Sequence, residues 1–212
     1  MKIIKGYSDC SIRSLKEPDA TKYVSGKRAL IIIVGEFAIT HDSDNLPIVT
    51  TLGSCVTVVL YDKVAKIKGM NHFLLPGVWE QGVSYRYGVN AMEMMMNEMF
   101  KLGCKKKNLI AKIAGGSVMF HNFKEKIGER NVEFARLFCK REGIPVLSEH
   151  VLGDQGRVVM VGSDFKTVVR TFNNSIKEKM IMLEEKASEN ELVENGLPCE
   201  INTIWKGDLN NV

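Results

Sequence analysis

The chain has 212 residues, 45% of them hydrophobic and 25% charged, with a formal charge of +4, which is enough for one well-filled core at ordinary globular composition. The apolar run over residues 29–34 falls far short of the about 20 residues of a membrane span. It also lies behind Lys27-Arg28, too deep for a signal peptide, so a soluble, cytoplasmic protein with no membrane insertion is expected.

The charge is uneven: residues 1–28 carry seven Lys or Arg against three acids, and residues 177–212 carry four Lys against eight acids. No basic cluster with interleaved aromatics accompanies it, so nucleic-acid binding is not expected. Lys105-Lys106-Lys107 follows a predicted helix end, where it complements the helix dipole. The five cysteines, Cys10, Cys55, Cys104, Cys139 and Cys199, include no Cys-x-x-Cys pair. Together with isolated His41, His72, His121 and His150 they imply reduced thiols, with neither metal nor cofactor.

Residues 1–28, broken by Gly6, Pro18 and Gly26, are expected to form an extension of uncertain order. A buried strand is predicted over 29–34, running on through Gly35 to Ile39 into a turn-rich loop at 41–47. Next comes Ile48-Val49-Thr50-Thr51-Leu52-Gly53-Ser54-Cys55, leading into a β-branched strand over 56–60 whose composition fits coverage on both faces. Its return partner over 66–75 carries His72. With a four-residue turn at 62–65, Cys55 falls directly opposite His72, and directly opposed residues share a face. A thiol beside an imidazole is the minimum for a cysteine nucleophile with its own base. Gly53 and Ser54, just before the cysteine, either expose backbone N–H groups for an oxyanion or simply permit a bulge.

Residues 77–88, with Trp79, Tyr85 and Tyr87, read as a long aromatic loop, either one wall of a cleft or a cover for a sheet edge. Val89, Met92, Met96, Met99 and Phe100 recur at helical spacing, and Gly103 is placed to close that helix. The methionines are assigned to core packing. A strand over 109–114 ends at Gly115-Gly116, which permits close backbone approach but lacks a dinucleotide-binding spacing. A second helix opens at Gly128 with Val132, Ala135, Phe138 and Cys139 on its apolar side and closes at Gly143. Strands over 146–151, 157–161 and 167–170 complete a domain spanning 29–172. A helix and acidic tail are expected over 173–212.

Five stretches together are specific: Thr50-Thr51-Leu52-Gly53-Ser54-Cys55-Val56, Leu60-Tyr61-Asp62, Gly69-Met70-Asn71-His72-Phe73-Leu74-Leu75-Pro76, Lys112-Ile113-Ala114-Gly115-Gly116-Ser117-Val118-Met119-Phe120 and Ile127-Gly128-Glu129-Arg130-Asn131-Val132. In order and spacing they resemble the signatures of the CheD family, the chemoreceptor glutamine deamidases of bacterial chemotaxis. The resemblance implies a three-layer α/β sandwich with a mixed, largely antiparallel sheet, similar to the catalytic domain of the cytotoxic necrotizing factors. It implies a cysteine hydrolase that converts glutamine side chains of receptor cytoplasmic helices to glutamate with release of ammonia. It also implies a catalytic Cys, His and Thr, carried over onto Cys55, His72 and Thr50. Thr51 competes for the third place, and strand alternation lets only one of the two face the site. Gly53 and Ser54 are the accompanying oxyanion candidates. A CheC-type phosphatase of CheY is implied as a partner, which leaves a regulatory binding protein as the rival to an enzyme.

Overall fold

The computed structural model describes residues 3–6, 12–15, 22–24, 27–75, 81–118 and 127–172. The elements in chain order are β1 (Ile3–Gly6), β2 (Ile12–Leu15), β3 (Lys22–Val24), β4 (Lys27–Ile31), β5 (Phe37–His41), β6 (Ile48–Leu52), β7 (Val56–Asp62), β8 (Ile67–Asn71), α1 (Gln81–Lys101), β9 (Leu109–Gly115), α2 (Ile127–Arg141), β10 (Val146–Val151), β11 (Gly156–Val161) and β12 (Thr167–Phe172). They form a seven-stranded sheet in the order β10-β9-β7-β8-β5-β1-β2 and a five-stranded sheet in the order β12-β11-β6-β4-β3. Among the described residues only the β10–β9 and β4–β6 pairings are parallel. The mixed, largely antiparallel three-layer α/β architecture expected from the sequence is therefore present, its layers being helices, the larger sheet and the smaller sheet.

Strand β7 shows how one sequence pattern serves two cores. Val56, Val58 and Leu60 join the core beneath the helices, whereas Cys55, Val59 and Tyr61 join the core between the sheets. Alternation at period two sends successive side chains to opposite layers, so every residue of β7 is buried. In α1, Met92, Met96 and Met99 are buried in the helix-side core as their spacing predicts, and Met95 joins them there. Gly69 on β8 leaves room for them, because a Cβ there would lie 2.8 Å from Met99 Sδ. In α2, Val132, Ala135, Phe138 and Cys139 are buried as the periodicity requires.

Four features depart from the sequence reading. The β7–β8 turn spans 63–66, with Asp62 paired to Ile67, so the register is two residues from the expected one. The reason is Asp62, whose Oδ1 accepts from Val64 N and Ala65 N and caps the turn from its first side. Residues 81–88, expected in a loop, are helical because α1 begins at Gln81. Helix docking overrides the weak local propensity there: Gly88 sits so close to Leu75 and Phe134 that a Cβ would come within 2.7 Å of each. Residues 37–41 form β5, paired to β8, rather than a run into a loop. The front of the chain contributes β1 and β2 to the larger sheet and β3 to the smaller one. The helix and acidic tail expected over 173–212 lie outside the described residues.

A buried ion pair ties the sheets together. Lys68, with no exposed side-chain surface, donates to Asp42 at 3.3 Å, and the same carboxylate accepts from Tyr61 Oη at 2.7 Å and Asp164 N at 2.9 Å. Removing one partner of such a pair leaves a buried charge without compensation. Asp42→Ala is therefore expected to lower unfolding free energy by about 3–5 kcal/mol, read from urea denaturation.

Candidate active site

Strand β6 carries Thr50 and Thr51 on opposite faces. Thr50 is 1% exposed and turned into the space between the sheets, while Thr51 is exposed on the outer face. Thr50 Oγ1 donates to the carbonyl of Ile32 at 2.8 Å and lies 2.7 Å from His72 Nδ1. A hydroxyl has one proton, and the Ile32 carbonyl can only accept it. Nδ1 must then be the protonated nitrogen of His72, donating to Thr50, which leaves Nε2 with its lone pair.

The backbone of His72 is held from the β4–β5 connection. Gly35 N donates to His72 O at 2.8 Å and His72 N donates to Glu36 O at 2.9 Å. The loop that supplies the Ile32 carbonyl to Thr50 thus also fixes the strand carrying the imidazole. His72 is only 4% exposed, and Nε2 has no hydrogen-bond partner among the described residues. Burial pushes its pKa down to about 3, so the ring is neutral at pH 7 and Nε2 is a base.

Cys55 lies on the same face. The ladder closes with Val56 N donating to Phe73 O and Phe73 N donating to Val56 O, each at 3.0 Å. In that register Cys55 opposes Leu74 and His72 is its diagonal neighbour, not its direct partner as the expected turn implied. A shift of two preserves which side chains share a face, and diagonal neighbours stay within reach of a long side chain. No hydrogen bond joins the thiol to Nε2 in this structure; such contacts often tighten only when a substrate is present. Cys55 has no exposed surface, so a substrate amide reaches it only after neighbouring groups shift.

The turn before Cys55 is gripped through its carbonyls. Ser117 N donates to Gly53 O and Gly116 N to Cys55 O, both at 2.8 Å, and Asn131 Nδ2 donates to Ser54 O at 2.9 Å. Gly115 has φ of +118°, and a Cβ there would lie 2.2 Å from Cys55 O. The Gly115-Gly116 pair is thus required for the close approach inferred for it. Ser117 is in turn fixed by Arg157, 2% exposed, whose Nη2 donates to Ser117 Oγ at 2.8 Å.

Among the described residues no group of His, Cys, Asp or Glu is arranged to hold a metal ion. Cys104 and Cys139 lie in the helix-side core, and burial pushes each thiol up to about 12, which makes them inert packing residues. His150 accepts from Arg157 through Nδ1 and stands apart from Thr50 and His72. Asn131, Ser117, Arg157 and the 32–36 loop were not singled out from sequence. Asn131 did leave a signal, as an amide on the apolar stripe of α2, four residues before Ala135 and seven before Phe138.

The family profile described as CheD chemotactic sensory transduction matches residues 74–171, which follow Thr50, Cys55 and His72. A probable chemoreceptor glutamine deamidase CheD of Agrobacterium fabrum is 45% identical over 130 residues, covering 60% of this chain and 71% of that protein. One of the same name from Laribacter hongkongensis is 37% identical over 166 residues, covering 73% of this chain and 80% of that protein. Among solved structures, the C-terminal domain of CNFy from Yersinia pseudotuberculosis aligns with a TM-score of 0.35 at 12% identity, covering 70% of this chain and 58% of that one. No helix among the described residues is long and apolar enough to cross a membrane.

Proposed function

The chain belongs to the CheD family, and on that premise we propose that it is a cytoplasmic cysteine hydrolase that deamidates glutamine side chains on chemoreceptor helices. The observation that supports this most is His72 Nε2, buried, unprotonated and without a partner, on the face that also carries Cys55. The large majority of buried polar side-chain atoms have a hydrogen-bond partner, and an open Nε2 beside a thiol-bearing face is accounted for by a role as base.

In the proposed reaction the Cys55 sulfur attacks the carboxamide carbon while Nε2 takes the thiol proton. Backbone N–H groups of the Gly53-Ser54-Cys55 turn take the oxyanion. The C–N bond then breaks, Nε2 returns the proton to nitrogen, and ammonia leaves a thioester. Water attacks the thioester with Nε2 again accepting a proton, and glutamate and the thiol are released. Thr50 steadies the imidazolium through Nδ1–H, the part of the third member in other triads.

Thr50→Val keeps the shape but deprives Nδ1–H of its acceptor. Deamidation is expected to fall about 10²-fold and unfolding free energy by about 1–3 kcal/mol. Thr50→Ser, which restores the oxygen, recovers both. The proposal as a whole is tested by incubating the protein with a purified receptor cytoplasmic fragment and following ammonia and the glutamine-to-glutamate mass change. Conversion at discrete glutamines is expected. If cognate fragments stay unmodified while a CheC-type protein is still bound, the regulatory reading replaces it.

A further inference from the structure

In an antiparallel hairpin that closes Val56 on Phe73 by a reciprocal pair of hydrogen bonds, the next reciprocal pair outward is Ser54 with Leu75. That direct contact is absent. The carboxamide of Asn131 stands between the two strands: Leu75 N donates to Oδ1 at 2.8 Å and Nδ2 donates to Ser54 O at 2.9 Å. Asn131 is 0% exposed and comes from α2, the helix covering the far side of the sheet. Its orientation is dictated chemically, because an N–H needs the oxygen and a carbonyl needs the nitrogen.

The ladder is also opened on the inner side. Val58 N donates to the Asn71 side chain at 2.8 Å, and the Asn71 carbonyl is taken by Thr57 Oγ1. Cys55 and His72 therefore lie in the one stretch of the β7–β8 hairpin where side-chain amides replace strand-to-strand bonds on both sides of the Val56–Phe73 bridge. The N-terminal half of α2 comes close enough to insert the Asn131 amide because Gly116 lacks a side chain: a Cβ there would lie 2.4 Å from Val132 Cγ2 and 2.8 Å from Gly128 O.

We propose that Asn131 is a positioning residue for catalysis, a clasp that holds the hairpin end splayed by the width of one carboxamide and so fixes the segment bearing Cys55 relative to the segment bearing His72. Without it, Leu75 N and Ser54 O close on each other and the nucleophile turn moves with them. The peptide bond adds a consequence. A trans peptide directs its C=O and N–H oppositely, so tying Ser54 O to α2 turns the Cys55 N–H toward the side away from that helix. This role rests on the deamidase reading for its kinetic meaning, though not for its geometry.

The test is Asn131→Leu, which keeps nearly the volume and branching of the side chain but supplies neither the acceptor for Leu75 N nor the donor for Ser54 O. On a receptor fragment, kcat is expected to fall about 10²-fold, as a displacement of about 1 Å in a reacting group would cause. KM should change by less than about threefold, because no receptor-facing group is altered. An unchanged kcat, or a loss that merely tracks the folded fraction in thermal unfolding, overturns the proposal. Asn131→Ser, shorter but still polar, gives the same comparison if the leucine variant does not fold. Should the wild-type protein itself fail to deamidate, the deamidase reading falls and the clasp is judged by iodoacetamide labelling of Cys55, followed by peptide mass. An altered rate at Cys55 with Cys104 and Cys139 unaffected upholds the clasp, and an unaltered rate rejects it.

Discussion

Cys55→Ala is expected to lower the deamidation rate by at least about 10³-fold while leaving the protein folded. The two halves of this result have separate causes. The catalytic loss follows because, among the described residues, no other thiol stands near His72: Cys104 and Cys139 are packed in the other core with their thiols pushed up to about 12. The mild structural effect follows because only a sulfur atom is removed from the core between the sheets, where Cys55 packs with residues of both. A cavity of that size costs on the order of 1 kcal/mol. Thermal unfolding alongside the activity assay separates the two, and an inactive variant with a collapsed unfolding transition would leave the nucleophile unproven.

His72→Asn should abolish activity to a similar degree yet change stability in a way that depends on pH. The folded pKa of His72 lies near 3 because burial disfavours the charged ring, against about 6.5 in an unfolded chain. Between these values the unfolded state binds the proton and the folded state does not. Stability from this residue is therefore present above pH 6.5 and is lost as pH falls toward 3. Going from pH 7 to pH 5, the wild type should lose about 2 kcal/mol through His72 alone, and the variant should be spared that loss. Urea denaturation of both proteins at the two pH values reads the difference. The same low pKa removes any loss of kcat/KM near pH 6.5 from protonation of His72 in the free enzyme. A loss there would mean that the ring is charged at rest.

What could be read from the sequence differs from residue to residue. The face shared by Cys55 and His72 was legible because strand parity survives any register shift of two, whereas the register itself depended on Asp62 capping its own turn. Alternation required Thr50 and Thr51 to point oppositely, but which one meets His72 is decided by how β6 sits in a second sheet, through contacts 22 residues apart in sequence. The apolar stripe of α2 was evident from its period. The glycines and aromatics at 82–88 concealed the first turns of α1, since their local helix propensity is weak and the close approach of Gly88 to Leu75 and Phe134 is a tertiary feature. Strands β1, β2 and β3 were hidden because each has four residues or fewer, too few to show a period, with β2 and β3 at sheet edges and β1 between β5 and β2. Asn131 was visible as a polar residue on an apolar stripe, but nothing local reveals that its partners are Ser54 and Leu75.

The measurement that bears most directly on the account is capture of the acyl-enzyme. Mixing the protein with a receptor fragment, quenching in acid within a single turnover and mapping cross-linked peptides by mass should reveal a thioester joining Cys55 to the side chain of a target glutamine. Added hydroxylamine should divert that species to the hydroxamate. Glutamate formation with no such adduct, undiminished in Cys55→Ala and indifferent to hydroxylamine, would contradict the assignment of Cys55 as the nucleophile.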